Sequence, residues 1–362
     1  MSIEEGNSKL YIREETEKRY NWLWFFLAMV ALFCLPLFMD RYFTYLFNLV
    51  GIYIIIVVGF NILMGYAGQI SAGHAAFVAV GAYTSTILVT RLNLSFIVAL
   101  PLAGVTTSAV GLLVAIPALR LKGLYLAIAT MGFGFIVDEA IIGLTGLTGG
   151  AGGLSVPKVT LFGYKIATDQ SFSYLLYPIV IVLCLIAKSV GDHSKVGRAL
   201  IAIRDSEPVA EAFGVSLTKY KIFAFILASF YAGVAGSLLA HYIGFIGPDN
   251  FTLMHSIEYI VMVIVGGMGS LAGAIMGTIF ISLLPEVIRV LKDYLPHFLQ
   301  QERELHLSVY AVIMLSFLIF EPAGMYGRWL RIKTYMKAFP FNKKKAHLFK
   351  KREIKYSSMI KE

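Results

Sequence analysis

Along the chain, apolar positions gather into runs separated by short polar breaks. A helix needs roughly 17–25 apolar residues to cross a hydrocarbon core of about 30 Å. Several runs reach that length, and 22–38 and 94–116 hold no charged residue. Ten crossings are predicted: 22–38, 43–60, 72–91, 94–116, 122–143, 172–190, 220–241, 254–267, 270–292 and 306–321. The pair spanning 254–292 also reads as one long helix plus a re-entrant turn at Gly266-Gly267-Met268-Gly269. The fold class expected is an all-α polytopic membrane protein with Gly-interrupted segments. It divides into an N-terminal segment 1–21, a membrane domain 22–321 and a basic tail 322–362.

Composition agrees with that pattern. The 362 residues are 58% hydrophobic and 15% charged, against about 45–50% and about 25% in soluble domains. The first twenty residues are polar, with Glu4, Glu5, Glu14, Glu15 and Glu17, and the run after them is long enough to span. This is unlike a cleaved signal. Cys34 and Cys184 lie inside apolar runs and read as small core residues.

Charge asymmetry predicts the orientation. With both termini in the cytoplasm, the inner segments hold 24 Lys and Arg and the outer ones 7. Cytoplasmic loops carry such an excess because positive flanks resist translocation. The net charge of +9 therefore implies no nucleic-acid partner. The Lys343-Lys344-Lys345 run reads as a topological determinant or a contact with anionic membrane lipid.

Asp138, Glu139, Glu258 and Glu286 fall toward the predicted outer ends of their helices. None occupies a span centre, where ion-coupled carriers place a functional carboxylate. Asp138 and Glu139 read either as solvated helix-end groups or as an attraction for a substrate ammonium at the outer mouth. The phosphate-binding pattern G-x-x-x-x-G-K-[ST] is absent, so a driven transporter would need its motor on another polypeptide. No nucleophile–base pair, metal spacing or catalytic residue emerges.

The one long internal cytoplasmic loop is 191–221. Within it, Asp205 or Ser206 suits a helix cap, Pro208 a first turn and Gly214 a C-terminal stop. A helix from Glu207 to Phe213 is predicted. It is too short to hold alone, so it packs on its own domain or on a partner.

Residues 61–84, NILMGYAGQISAGHAAFVAVGAYT, resemble the signature of LivM-type permeases of branched-chain amino-acid ABC transporters. The matching positions are Gly65, Tyr66, Gly68, Gln69, Ser71, Gly73 and His74, followed by Gly81, Ala82 and Tyr83. KGLYLAIATMGFGF at 122–135, Thr148-Gly149-Gly150, GRALIAIRDSEPVAEAFGV at 197–215 and GGMGSLAGAIMG at 266–277 resemble further motifs of that family, in order. Glu321 stands where the pattern has Arg, and the tail is longer than expected.

The resemblance implies a permease in a prokaryotic cytoplasmic membrane that imports branched-chain amino acids. Urea or short amides are the alternative cargo; a stand-alone channel or carrier is a remoter reading. It implies a second permease, two ATPase subunits that hold the ATP and Mg, and an extracytoplasmic solute-binding protein. This chain would carry no cofactor and no metal. Arg204, Asp205, Glu207, Ala210, Glu211 and Gly214 would couple it to the ATPases.

The glycine-broken stretch Gly65, Gly68, Gln69, Ser71, Gly73, His74 and its counterpart Gly266, Gly267, Gly269 have two readings. Paired interrupted helices point to a pathway or gate; small residues also allow close helix packing. His74 reads as a structural histidine bonded to a neighbouring carbonyl.

Overall fold

The structure, a computed structural model, describes residues 33, 36–161, 163–292, 311, 312, 315, 316, 319 and 324–338. Most of the predicted spans 22–38 and 306–321, together with Cys34, Glu321 and the Lys-rich part of the tail, lies outside the described residues.

The apolar runs become helices: α1 (Arg41–Asn61), α2 (His74–Arg91), α3 (Phe96–Ala118), α4 (Leu124–Gly143), the short α5 (Thr145–Thr148), α6 (Asp169–Lys188), α7 (Lys195–Asp205), α8 (Glu207–Ala212), α9 (Leu217–Ile243), α10 (Leu253–Gly266), α11 (Leu271–Lys292) and α12 (Gly324–Ala338). α10 and α11 are two separate helices joined through residues 267–270. Among the described residues five helices are long and apolar enough to cross a membrane: α1 and α6 with their π-helical extensions, α3, α4 and α9.

α9 is the centre. It packs on α1, α2 and α3, and small residues let the backbones touch. A side chain at Gly81 would sit 2.4 Å from the Gly233 Cα, and one at Gly236 would sit 2.1 Å from the Val78 carbonyl oxygen. In lipid no hydrophobic force draws helices together, so such close packing must supply the attraction. Around this seam Ile55, Ile56, Phe60, Phe77, Phe225 and Tyr231 are fully buried. α6 covers the far side of α1, and α10 and α11 form a hairpin beside it. α4 is peripheral, with only 22% of its apolar window buried.

The connecting segments gather at two ends. One end holds 62–73, 119–123, 189–216, 267–270 and Gly324; the other holds 92–95, 144–168 and 244–252. At this second end two short antiparallel strand pairs occur: β1 (Leu154–Ser155) with β4 (Phe245–Ile246), and β2 (Thr160–Leu161) with β3 (Tyr164–Lys165). His241 Nδ1 lies 2.9 Å from the Pro157 carbonyl and Nε2 lies 3.1 Å from Ser85 Oγ, which accepts from Ser237. The loop is thereby pinned to the top of α9.

Candidate functional site

The first end begins where α1 loses its regular period. Ile62–Tyr66 form a π-helical turn, a widening that recurs at functional sites. Gly65 sits there against the turn between α10 and α11, and a side chain on it would lie 2.4 Å from the Gly269 nitrogen. Asn61 clamps that contact. Its Oδ1 accepts from the Gly269 N–H at 3.0 Å and its Nδ2 donates to the Ser270 carbonyl at 3.2 Å. The two glycine-broken segments, some 200 residues apart in sequence, thus form one joint.

A cation from the loop enters this joint. Arg204, in the last turn of α7, donates from Nη1 to the Gly65 carbonyl at 2.7 Å. Gly68 has φ +69°, and a side chain there would lie 2.8 Å from the Arg204 Cγ. A side chain on Gly269 would lie 2.8 Å from Arg204 Nη1. Glycine is required at Gly68 both for the left-handed backbone and for space. Asp205 holds the other edge of the guanidinium at 3.1 Å.

α7 was not foreseen. It starts at Ser194, whose hydroxyl caps the helix by accepting from the Gly197 N–H at 2.9 Å, and it buries Leu200 and Ile203. α8 follows after one extended residue, Ser206, which occupies the cap position without a capping side-chain bond. Pro208 stands in its first turn. It ends at Gly214, φ +79°, with the Val215 N–H donating to the Ala210 carbonyl at 3.0 Å. This is a Schellman closure. Ala210 is buried; Val209, Glu211 and Phe213 point outward, Phe213 at 84% exposure.

Glu207 is held between two lysines that sequence reasoning missed. Its Oε2 meets Lys122 at 2.7 Å, at the mouth of α4, and its Oε1 meets Lys221 at 2.6 Å, in the first turns of α9. Lys221 is 4% exposed. Partial burial opposes the charge on Glu207, but the hydrogen bonds from Lys122 and Lys221 outweigh it and hold the carboxyl below its ordinary value. A lysine in an apolar helix start was the available signal.

The remaining predicted positions are packed inside the chain. Ser71 and His74 are fully buried, and Gln69 nearly so. His74 is not bonded to a carbonyl as expected: neither ring nitrogen has a hydrogen-bond partner among the described residues. Instead the ring stacks on Phe60 with centroids 4.4 Å apart. A side chain on Gly73 would strike the Thr130 carbonyl oxygen at 1.9 Å. Gly266 abuts Gly273, and Gly267 receives Gly324, where a side chain would lie 2.6 Å from the Gly267 Cα. No group of three or more His, Cys, Asp or Glu able to hold a metal occurs among the described residues.

Residues 42–318 match the model of a family described as branched-chain amino acid transport system / permease component. The chain belongs to that family. It is an integral membrane protein. The permease is 36% identical over 266 residues to the high-affinity branched-chain amino acid transport system permease protein LivM of Salmonella typhimurium, covering 67% of this chain and 63% of that one. It is 35% identical over 295 residues to the LivM of Escherichia coli K12, covering 74% and 69%. The permease spans about two thirds of the length of these relatives. It is also 23% identical over 295 residues to the permease protein LivH of Salmonella typhimurium, covering 76% of this chain and 91% of that one. No solved structure matches it.

Proposed function

We propose that this permease is one half of the membrane channel of an ATP-driven importer for branched-chain amino acids. It pairs with a related permease, receives substrate from a solute-binding protein outside, and is driven by two separate ATPase subunits. The observation that supports the reading most is α8. It is a six-residue helix, too short to hold without support. It is tied through Glu207 to the starts of α4 and α9, and Arg204 in the adjoining turn of α7 reaches the glycine joint. Its outer side offers Val209, Glu211 and Phe213 to a partner. An ATPase that moves α8 would pull on α4, α9 and the Gly65–Gly269 contact together. The stretch from Gly65 to His74, with Gly266, Gly267 and Gly269, then acts as the hinge of the pathway.

The test uses the reconstituted complex. Phe213→Ala removes an exposed ring, Glu211→Lys reverses an outward charge, and Gly214→Val penalises the left-handed stop. None of these sites supports the interior, since a side chain at Gly214 would meet nothing within 4 Å. Each should lower substrate-stimulated ATP hydrolysis and leucine uptake by about tenfold, the loss of ~1.4 kcal/mol of docking energy, while membrane insertion persists. Wild-type coupling and ATPase pull-down in all three variants would exclude α8 as the docking element. Uptake of urea rather than leucine by the wild-type complex would exclude the substrate.

A further inference from the structure

α2, α4 and α10 enclose a small cavity walled by Met131, Gly134, Phe135, Asp138, Phe251 and Ser256, among others. It offers about 10 Å³ to the centre of a water-sized sphere, room for roughly one water or one ammonium group. Asp138 was open to being a solvated helix-end carboxylate. The structure places its Oδ1 out of contact with solvent and without a hydrogen-bond partner among the described residues. Among the described residues no lysine or arginine lines the cavity. Tyr83 stands beside it. Its ring packs against Phe251 with centroids 6.3 Å apart, Tyr83 is 4% exposed, and its hydroxyl is buried with no partner among the described residues. Ser256 is 1% exposed, and its Oγ accepts from the Ala75 N–H at 2.9 Å. A hydroxyl oxygen has a second lone pair to offer.

An unpaired carboxylate in a membrane span is costly and marks a functional group by default. Here it shares a cavity wall with Ser256 and apolar side chains, and Tyr83 packs on the Phe251 ring that also lines it. An ammonium brings three donors and a positive charge. We infer that Asp138, Tyr83 and Ser256 receive the α-ammonium group of the amino acid as it passes through the permease, with Met131 and Phe135 against its aliphatic part. The approach is open on the α4 side, where Phe135, which lines the cavity, is 54% exposed. This deepens the function proposed above and rests on it.

The experiment measures leucine uptake by the complete reconstituted complex carrying Asp138→Asn or Tyr83→Phe. Asn copies a neutral aspartic acid in shape, so it separates a charge role from a packing role. Asp138→Asn should lower the maximal uptake rate about tenfold or more, and Tyr83→Phe about threefold or more, as expected for lost hydrogen bonds to a charged group. The concentration of loaded binding protein giving half-maximal rate should stay unchanged. Should Asp138→Asn fail to assemble, Tyr83→Phe decides, because it removes one oxygen and fills the same space. Wild-type uptake by either assembled variant, while the wild-type complex transports leucine, overturns this inference alone. A wild-type complex that carries no amino acid overturns the function itself, and the inference with it.

Discussion

At the scale of residues, the centre of the site is one guanidinium. Arg204 reaches the carbonyl of Gly65 and fills the space that Gly68 and Gly269 leave empty. Arg204→Ala strips that carbonyl of its charged donor, at about 1.5–3 kcal/mol for a hydrogen bond to a charged group. Gly68→Leu acts on the same contact from the other side, since its Cβ lands on the arginine stem and its φ is left-handed. Each variant should slow uptake at least about tenfold. Because both break one contact, the double variant should be scarcely worse than either single. Uptake and thermal unfolding of the four complexes check this; additive losses would show that Gly68 and Arg204 act apart. The glycine signature was legible in the sequence because left-handed turns and close approaches leave only glycine. Arg204 was legible only as a coupling residue by resemblance, since no local pattern tells where a long side chain ends. Asn61 went unnoticed: a single amide inside an apolar run gives no hint that a turn some 200 residues away will need both of its polar atoms.

At the scale of elements, the bounds of the long helices follow the apolar runs closely, because length and hydropathy decide them. The π-helical ends of α1 and α6 were invisible, since they depend on what packs against the last turn. α7 was missed because its apolar side is narrow and reads as loop. α8 was placed nearly to the residue, because Pro208 and Gly214 fix a start and a stop by backbone chemistry alone. What secures α8 is Glu207. Its folded pKa is depressed, so its stabilising contribution is present above the unfolded value of about 4.3. That contribution is lost as pH falls through the lower folded value. Glu207→Gln leaves the buried Lys221 ammonium without its counter-charge, at about 1–3 kcal/mol; the exposed Lys122 pair adds little. Thermal unfolding of wild type and Glu207→Gln should therefore differ by a constant gap between about pH 6 and 8. The gap should shrink as pH falls below the unfolded value and close once pH passes the lower folded one. A gap that widens on acidification would reverse the sign of the linkage and remove Glu207 as the anchor.

At the scale of the whole molecule, orientation links site to mechanism. The connecting segments sort into two ends, and the sorting comes from contacts: Arg204 to Gly65, Lys122 and Lys221 to Glu207, and Gly324 to Gly267 on one side. On the other, Arg91 hydrogen-bonds the carbonyls of Gly146 and Leu147, and β1 pairs with β4. Alternating passage of the helices between these ends is what the sequence pattern requires. The sign of the orientation is a separate matter. The segments read as inner hold 24 Lys and Arg against 7, and positive flanks stay in the cytoplasm. By that rule we propose that the end that carries α7 and α8 faces inward and the end with the strand pairs faces outward. Much of the excess comes from 322–362, which holds 12 of the 24. Removing that tail leaves 12 against 7, still the same sign. Reporter fusions inside 150–165 and after Glu362 should thus report opposite sides of the membrane, and a truncation before the Lys343-Lys344-Lys345 run should not invert them. A cytoplasmic signal from the 150–165 fusion would put α8 outside, away from any ATPase, and would end the coupling role assigned to it.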